Sequence, residues 1–225
     1  MSETEVMPKK KKLDIETLVT EAARFSELES IFDEPSIYSV TDGKAIGTYI
    51  EHKFAKYLTR NYKYQQGNSA SGIDFPCLDV DMKVTSIRQP QSSCPFKSAR
   101  QKIFGLGYNL LIFIYEKIDD HNSRTSRLNI LHTIFIDADC TADFQMTKGI
   151  LDIIQNDGNS DDIVAFLQDK NLPIDDIEAH LIAEEVMKNP PKQGYLTISN
   201  ALQWRLQYSR VIQEAGKVKG INRVR

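Results

Sequence analysis

At 225 residues, with 41% apolar and 26% charged residues, the chain has the size and composition of one substantial globular domain, which excludes a fibrous or wholly disordered protein. The formal net charge is only −3, yet after position 204 the bases Arg205, Arg210, Lys217, Lys219, Arg223 and Arg225 face a lone acid, Glu214, while residues 152–185 are dominated by Asp and Glu. Such asymmetry leaves room for a polyanion-binding face within a near-neutral total. No run approaches the roughly 20 apolar residues that span a bilayer. The opening MSETEVMPKKKKLD lacks the apolar segment of a secretory signal, so the expected location is cytoplasmic, with no membrane partner.

Cys77, Cys94 and Cys140 are odd in number and widely spaced, which argues against a disulfide framework and against a zinc site of paired thiolates. His52, His121, His132 and His180 show no metal-ligand spacing. Catalysis is therefore expected to rest on carboxylates.

In chain order, residues 1–12 read as a disordered basic tail, whose KKKK at 9–12 has the composition of a nuclear targeting signal or of a solvated phosphate-attracting run. Asp14 caps a predicted helix to about Phe32 with Leu18, Ala22, Phe25 and Leu28 on one stripe. A second helix is predicted over Lys44–Tyr62, where Ile46, Ile50, Phe54 and Tyr57 recur at helical spacing. SGIDFP and LDVDMKVTS read as two short strands of a hairpin turning at Pro76, followed by a polar loop, RQPQSS. Lys97–Gly105 is a candidate short helix, and NLLIFIY and LNILHTIFI are strands of the kind buried on both faces. These elements describe an α/β core over 13–141 with a central mixed sheet flanked by helices. Beyond it, helical signals predict a helical subdomain over 142–225, packed on the core: Ser160 and Asp175 cap helices that end before Pro173 and Pro190, and Ser199 caps a last helix ending at Gly216.

The charges in LDVDMKVTS demand a reason. Strand period puts Asp79, Asp81, Lys83 and Thr85 on one face and Val80, Met82 and Val84 on the other. Magnesium takes hard oxygen ligands, typically one or two carboxylates with water and substrate phosphate. Asp74 and Asp81, on opposite arms of the predicted hairpin, can supply them, and carboxylates held that close repel unless a cation or proton intervenes. Lys83 projects from the same face as Asp81, where an ammonium can orient a nucleophilic water or stabilise charge on phosphorus. Glu51 is a further candidate ligand, because Gly47, Glu51 and Ala55 form a small-residue stripe through which its helix can approach the sheet closely.

GID, then DMK after a short turn, then a polar loop, a basic helix and the buried strand LLIFIY resemble the PD-(D/E)xK nuclease superfamily, the fold of most type II restriction endonucleases. The resemblance covers roughly residues 44–137. It implies a restriction-endonuclease-like core, with Asp74 and Asp81 binding Mg2+, Lys83 assisting the attacking water and Glu51 joining the cluster. The chain departs from the pattern in having Ile73, not proline, before Asp74, and a short interval between the two acids. The expected function is a magnesium-dependent, sequence-specific double-strand DNA endonuclease.

DNA affinity comes largely from Lys and Arg on phosphates, whereas Arg reads guanine and Gln reads adenine at base edges. Gln89, Gln91, Ser92 and Ser93 follow the catalytic strand and are expected near the scissile phosphate, with Lys97, Arg100 and Lys102 on the backbone; Gln203, Arg205 and Arg210 are expected on the final helix. Cutting both strands of a palindrome with one site per chain implies a homodimer. A DNA methyltransferase acting on the same site is the companion such an enzyme implies. Two other readings stay open: a repair or junction-resolving nuclease of the same fold, and a non-catalytic DNA-binding protein using its basic carboxyl-terminal helix.

Overall fold

The computed structural model describes residues 10–67, 72–94, 97–199 and 204–225. Helix α1 (Ile15–Ser30) begins at Asp14, whose side chain accepts from the Thr17 amide, and α2 (Gly43–Asn61) begins at Asp42, which accepts from the amides of Lys44 and Ala45. Each carboxylate satisfies amides that have no partner within the helix and offsets the positive end of its dipole. Leu18, Ala22, Phe25, Ile46, Ile50 and Phe54 are buried, as their spacing predicts, but Leu28 is exposed because the buried face of α1 continues through Ser26, Glu29 and Ser30 instead.

The central sheet runs in the order β10 (Ile221–Arg223), β7 (Thr125–Ile136), β6 (Asn109–Asp120), β4 (Val80–Ser86), with the short β2 (Asp33–Glu34) also on β7. It is mixed: β4 and β6 are parallel, whereas β7 is antiparallel to its neighbours. The β6 run is continuously apolar because both its faces are covered. Leu111, Phe113 and Tyr115 pack with α1 and α2 on one side, and Leu110, Ile112 and Ile114 pack with Trp204, Leu206 and Tyr208 on the other. A third core joins α3 (Gln101–Phe104), α4 (Phe144–Gln155), α5 (Ser160–Asp169) and α6 (Asp176–Lys188) through Ile103, Ile150, Ile163, Leu167 and Ile182. Asp143 joins that unit to the rest: its side chain caps α4 at Met146 and also accepts from the Ile198 amide at 2.7 Å.

Several expectations are corrected. Lys11 and Lys12 form a two-residue strand, β1, parallel to β3 (Tyr62–Lys63), so this part of the predicted tail is ordered against the core. The hairpin at Pro76 reduces to one antiparallel bridge, Phe75 with Val80, around a 3-10 turn over Pro76–Leu78. Asp79 leaves the strand face altogether, since its left-handed backbone (φ 50°) turns the chain into β4. The polar loop becomes strand β5 from Gln91 to Cys94, and the Lys97–Gly105 helix shrinks to α3. The cap of α5 is Asn159, not Ser160, in a reciprocal capping box with Asp162.

The largest correction is at the carboxyl end. The helical character expected from 142 onward stops at Lys188, and the helix expected from Ser199 to Gly216 is instead β9 (Trp204–Gln207) followed by the short α7 (Ser209–Glu214). Trp204, Leu206 and Tyr208 are buried while Arg205 and Gln207 are exposed, which is period two. A helix would have put one of those large side chains in water. Strand β9 pairs with β5 and with β8 (Thr197–Ile198) in a second, three-stranded sheet, and β10 then returns to the central sheet.

Candidate active site

Strand β4 lies at the edge of the central sheet. Val80 and Met82 face the α1–α2 core, and Val84 packs partly against it, so Asp81, Lys83 and Thr85 point to the opposite side. The Met82 amide donates to the Asp74 carboxylate at 2.7 Å, which fixes Asp74 alongside the strand. Helix α2 approaches through Gly47: a Cβ there would stand 4.0 Å from that of Val84. That close approach brings Glu51 into the electrostatic field of Asp74 and Lys83.

Asp81 is 4% exposed and its Oδ2 lies 2.7 Å from Lys83 Nζ. Burial pushes its carboxyl up to about 7, opposed by Lys83 and reinforced by Asp74 within hydrogen-bonding reach. Burial acts against the Lys83 ammonium too, but Asp81 and then Asp74 hold it above the ordinary lysine range. Glu51 is also raised, first by burial and then by Asp74, with Lys83 and His52 opposing. Three acids thus share one ammonium in a partly dry place, an excess of negative charge that a divalent cation would relieve. Among the described residues no group of three or more His, Cys, Asp or Glu side chains converges as a complete metal cage. The hard-oxygen pair Asp74 and Asp81 suits magnesium, which keeps most of its positions for water and phosphate.

Lys83 and Glu51 open onto a cleft of about 1420 Å³. Gln89, Gln91, Ser92, Ser93 and Arg205 line it, so residues from two distant stretches meet at one wall. Thr85 holds that wall to the site: its hydroxyl accepts from the Gln91 amide at 3.0 Å and lies 3.2 and 3.0 Å from the carbonyls of Gln89 and Gln91. The other expected DNA contacts are not brought here. Lys97 is exposed but outside the cleft lining. Arg100, outside the cleft lining, pairs with Glu185 at 2.6 Å, and Lys102, also outside it, is 4% exposed, with its pKa lowered by burial. Arg210 lays its guanidinium 3.6 Å from the centre of the Phe144 ring. Gln203 lies outside the described residues.

Sequence reasoning missed Lys44, Thr48 and Arg88, which also line the cleft. Lys44 and Thr48 precede Glu51 by seven and three residues, the spacing of a single helix face, and placing Glu51 at the site would have found them.

Asp81 and Lys83 on an edge strand, with Asp74 held alongside and a cleft lined by cations and side-chain amides, suit a nuclease class of protein. The chain belongs to the type II restriction enzyme NspV family, whose family model matches residues 12–223, and it is accordingly a sequence-specific restriction endonuclease acting on DNA. It is 68% identical over 209 residues to the type II restriction enzyme NspV of Nostoc sp. (strain ATCC 29411 / PCC 7524), covering 93% of this chain and 95% of that enzyme. Among solved structures it is similar to the tetrameric restriction endonuclease SfiI bound to cognate DNA, at 12% identity and a TM-score of 0.43, over 92% of this chain and 80% of that one. That overlap is loose, and the family assignment rests on the sequence match.

Proposed function

We propose that the enzyme cleaves its DNA by the PD-(D/E)xK mechanism, with Asp74 and Asp81 holding Mg2+ and Lys83 serving the attacking water. The observation that carries this reading is the buried Asp81 carboxylate 2.7 Å from the Lys83 ammonium, with Asp74 fixed beside the same strand and a cleft of about 1420 Å³ opening at Lys83. Bound magnesium would supply Lewis-acid polarisation of the scissile phosphate and acidify a water. The chain's own part is to hold that geometry: the Met82 amide orients Asp74, Lys83 stabilises the charge developing on phosphorus, and Glu51 accepts or steers a proton beside them. The arrangement suits in-line displacement of the 3′ oxygen by water.

Asp81→Asn and Lys83→Ala are expected to lower the cleavage rate by at least about 10²–10³-fold while leaving duplex binding within a few-fold of wild type, measured by single-turnover cleavage and by anisotropy. Wild-type rates in both variants would refute the mechanism. One site per chain and two strands to cut support a homodimer on DNA; light scattering of the DNA complex should give two chains per duplex, and one chain per cleaved duplex would exclude it. A companion methyltransferase modifying the same site, and action in the cytoplasm, complete the proposal; fragmentation of host DNA on expression without such protection is the corresponding outcome. The reading as a non-catalytic protein built on a carboxyl-terminal helix loses its element, since that segment is β9 and a six-residue helix.

A further inference from the structure

The outward face of the β5–β9 ribbon has chemistry that the cleavage step does not use. Gln91 stands opposite Gln207 and Ser93 opposite Arg205. Residues directly opposite in an antiparallel pair share a face, and alternate residues along each strand share it too, so Gln91, Ser93, Arg205 and Gln207 form one polar surface. The other surface, with Cys94, Trp204 and Leu206, is buried. Arg205, Gln207 and Ser93 are exposed, and Gln91, Ser93 and Arg205 line the same cleft as Lys83 and Glu51. Among the described residues Arg205 has no carboxylate partner, unlike Arg24, Arg100 and Arg127.

We infer that this ribbon is the base-reading element of the enzyme, entering the major groove with Arg205 reading a guanine and Gln91 and Gln207 reading adenines. The inference rests on the proposed cleft and cleavage site and deepens that reading. Strand β8 covers only Leu206 and Gln207 on the far side of β9, so β5 and β9 form the longer, edge pair of their three-stranded sheet; the major groove admits a two-stranded ribbon, and there Arg forks to the O6 and N7 of guanine while Gln pairs bidentately with the N6 and N7 of adenine. Successive outward side chains of a strand lie about 6.8 Å apart, the rise of roughly two base pairs, so Arg205 and Gln207 can address separate positions. A phosphate-binding surface would need cations, and this face has one cation among amides and a hydroxyl, whereas Lys44 and Arg88 elsewhere on the cleft have the charge to meet the backbone. Thr85 ties the ribbon to the catalytic strand, so reading and cutting share one rigid frame.

The test is cleavage of a randomised duplex library with sequencing of the cut ends, for the wild type and for Arg205→Lys, Gln91→Ala, Gln207→Ala and Arg88→Ala. Arg205→Lys keeps the charge and loses the fork, so it should relax the preference for guanine at one position by about 5- to 150-fold and leave the others alone. The two glutamine variants should relax adenine preferences, while Arg88→Ala should slow cleavage at all sites alike. A wild-type base profile in the three ribbon variants, or a uniform loss across all sites, would overturn the inference. Asp81→Asn in the same assay separates the readings. Its undiminished cleavage would sink the catalytic proposal, while the base profiles of the ribbon variants would still decide this one.

Discussion

A single hydrogen bond at the carboxyl end illustrates how residue chemistry sets a pH dependence. Arg223 Nη1 lies 3.3 Å from His132 Nδ1, and because a guanidinium only donates, Nδ1 must accept and the ring must be neutral. Burial, then the Arg223 charge, lowers the His132 pKa below its ordinary 6.5. A depressed folded-state value means that the unfolded chain takes up the proton first. This contribution to stability is therefore present above pH about 6.5 and is lost as pH falls through the folded value. His132→Gln should lose less melting temperature between pH 7 and 5 than wild type; an equal or larger loss would contradict the assignment.

Among elements, α2 and β4 show how a packing choice serves the site. Gly47 is buried against Val84, and the added Cβ of alanine would make only an ordinary contact. Gly47→Ala should raise the melting temperature, since alanine favours the helix by about 1 kcal/mol. Gly47→Leu should destabilise by about 1–3 kcal/mol through overpacking and slow cleavage as Glu51 is levered away. Denaturation midpoints and single-turnover rates check both, and a fully active, equally stable leucine variant would show that the close approach is unimportant. The short α7 and the ribbon make a related point. Their apolar residues were visible, but whether Trp204, Leu206 and Tyr208 lie on a strand or a helix depended on which face met Ile112 and Ile114 across the second core.

At the scale of the molecule, the last residues close the fold. Ile221 is fully buried and β10 pairs with β7, while Arg225 Nη1 reaches the Ser26 carbonyl, the Ser30 hydroxyl and the Ile130 carbonyl at 2.8, 2.6 and 2.9 Å. Burial of one isoleucine and loss of charged hydrogen bonds together suggest that deleting residues 221–225 costs about 3–6 kcal/mol. Urea unfolding should show it, and an unmoved midpoint would mean that the sheet does not need this edge. The same segment belongs to the basic carboxyl end whose charge asymmetry leaves room for a polyanion-binding face. Its two terminal arginines instead bind carbonyls and hydroxyls of the protein itself.

Local patterns sufficed to identify the two amino-terminal helices and the buried strands, and to pick out Asp74, Asp81 and Lys83 as neighbours, because capping, hydrophobic period and alternation act over a few residues and need no partner to be named. What required tertiary structure was everything set by contact at a distance. The fate of the 204–208 run depended on a face waiting across the sheet, and Lys102 lost its expected exposure to the packing around it. The meeting of Gln91 with Gln207 and of Ser93 with Arg205 depended on strand pairing across more than a hundred residues. Sequence alone thus singled out the side chains proposed to cut DNA. Only folding decided which of the remaining polar residues stand beside them, since a charge at the surface and one spent inside the protein are written with the same letter.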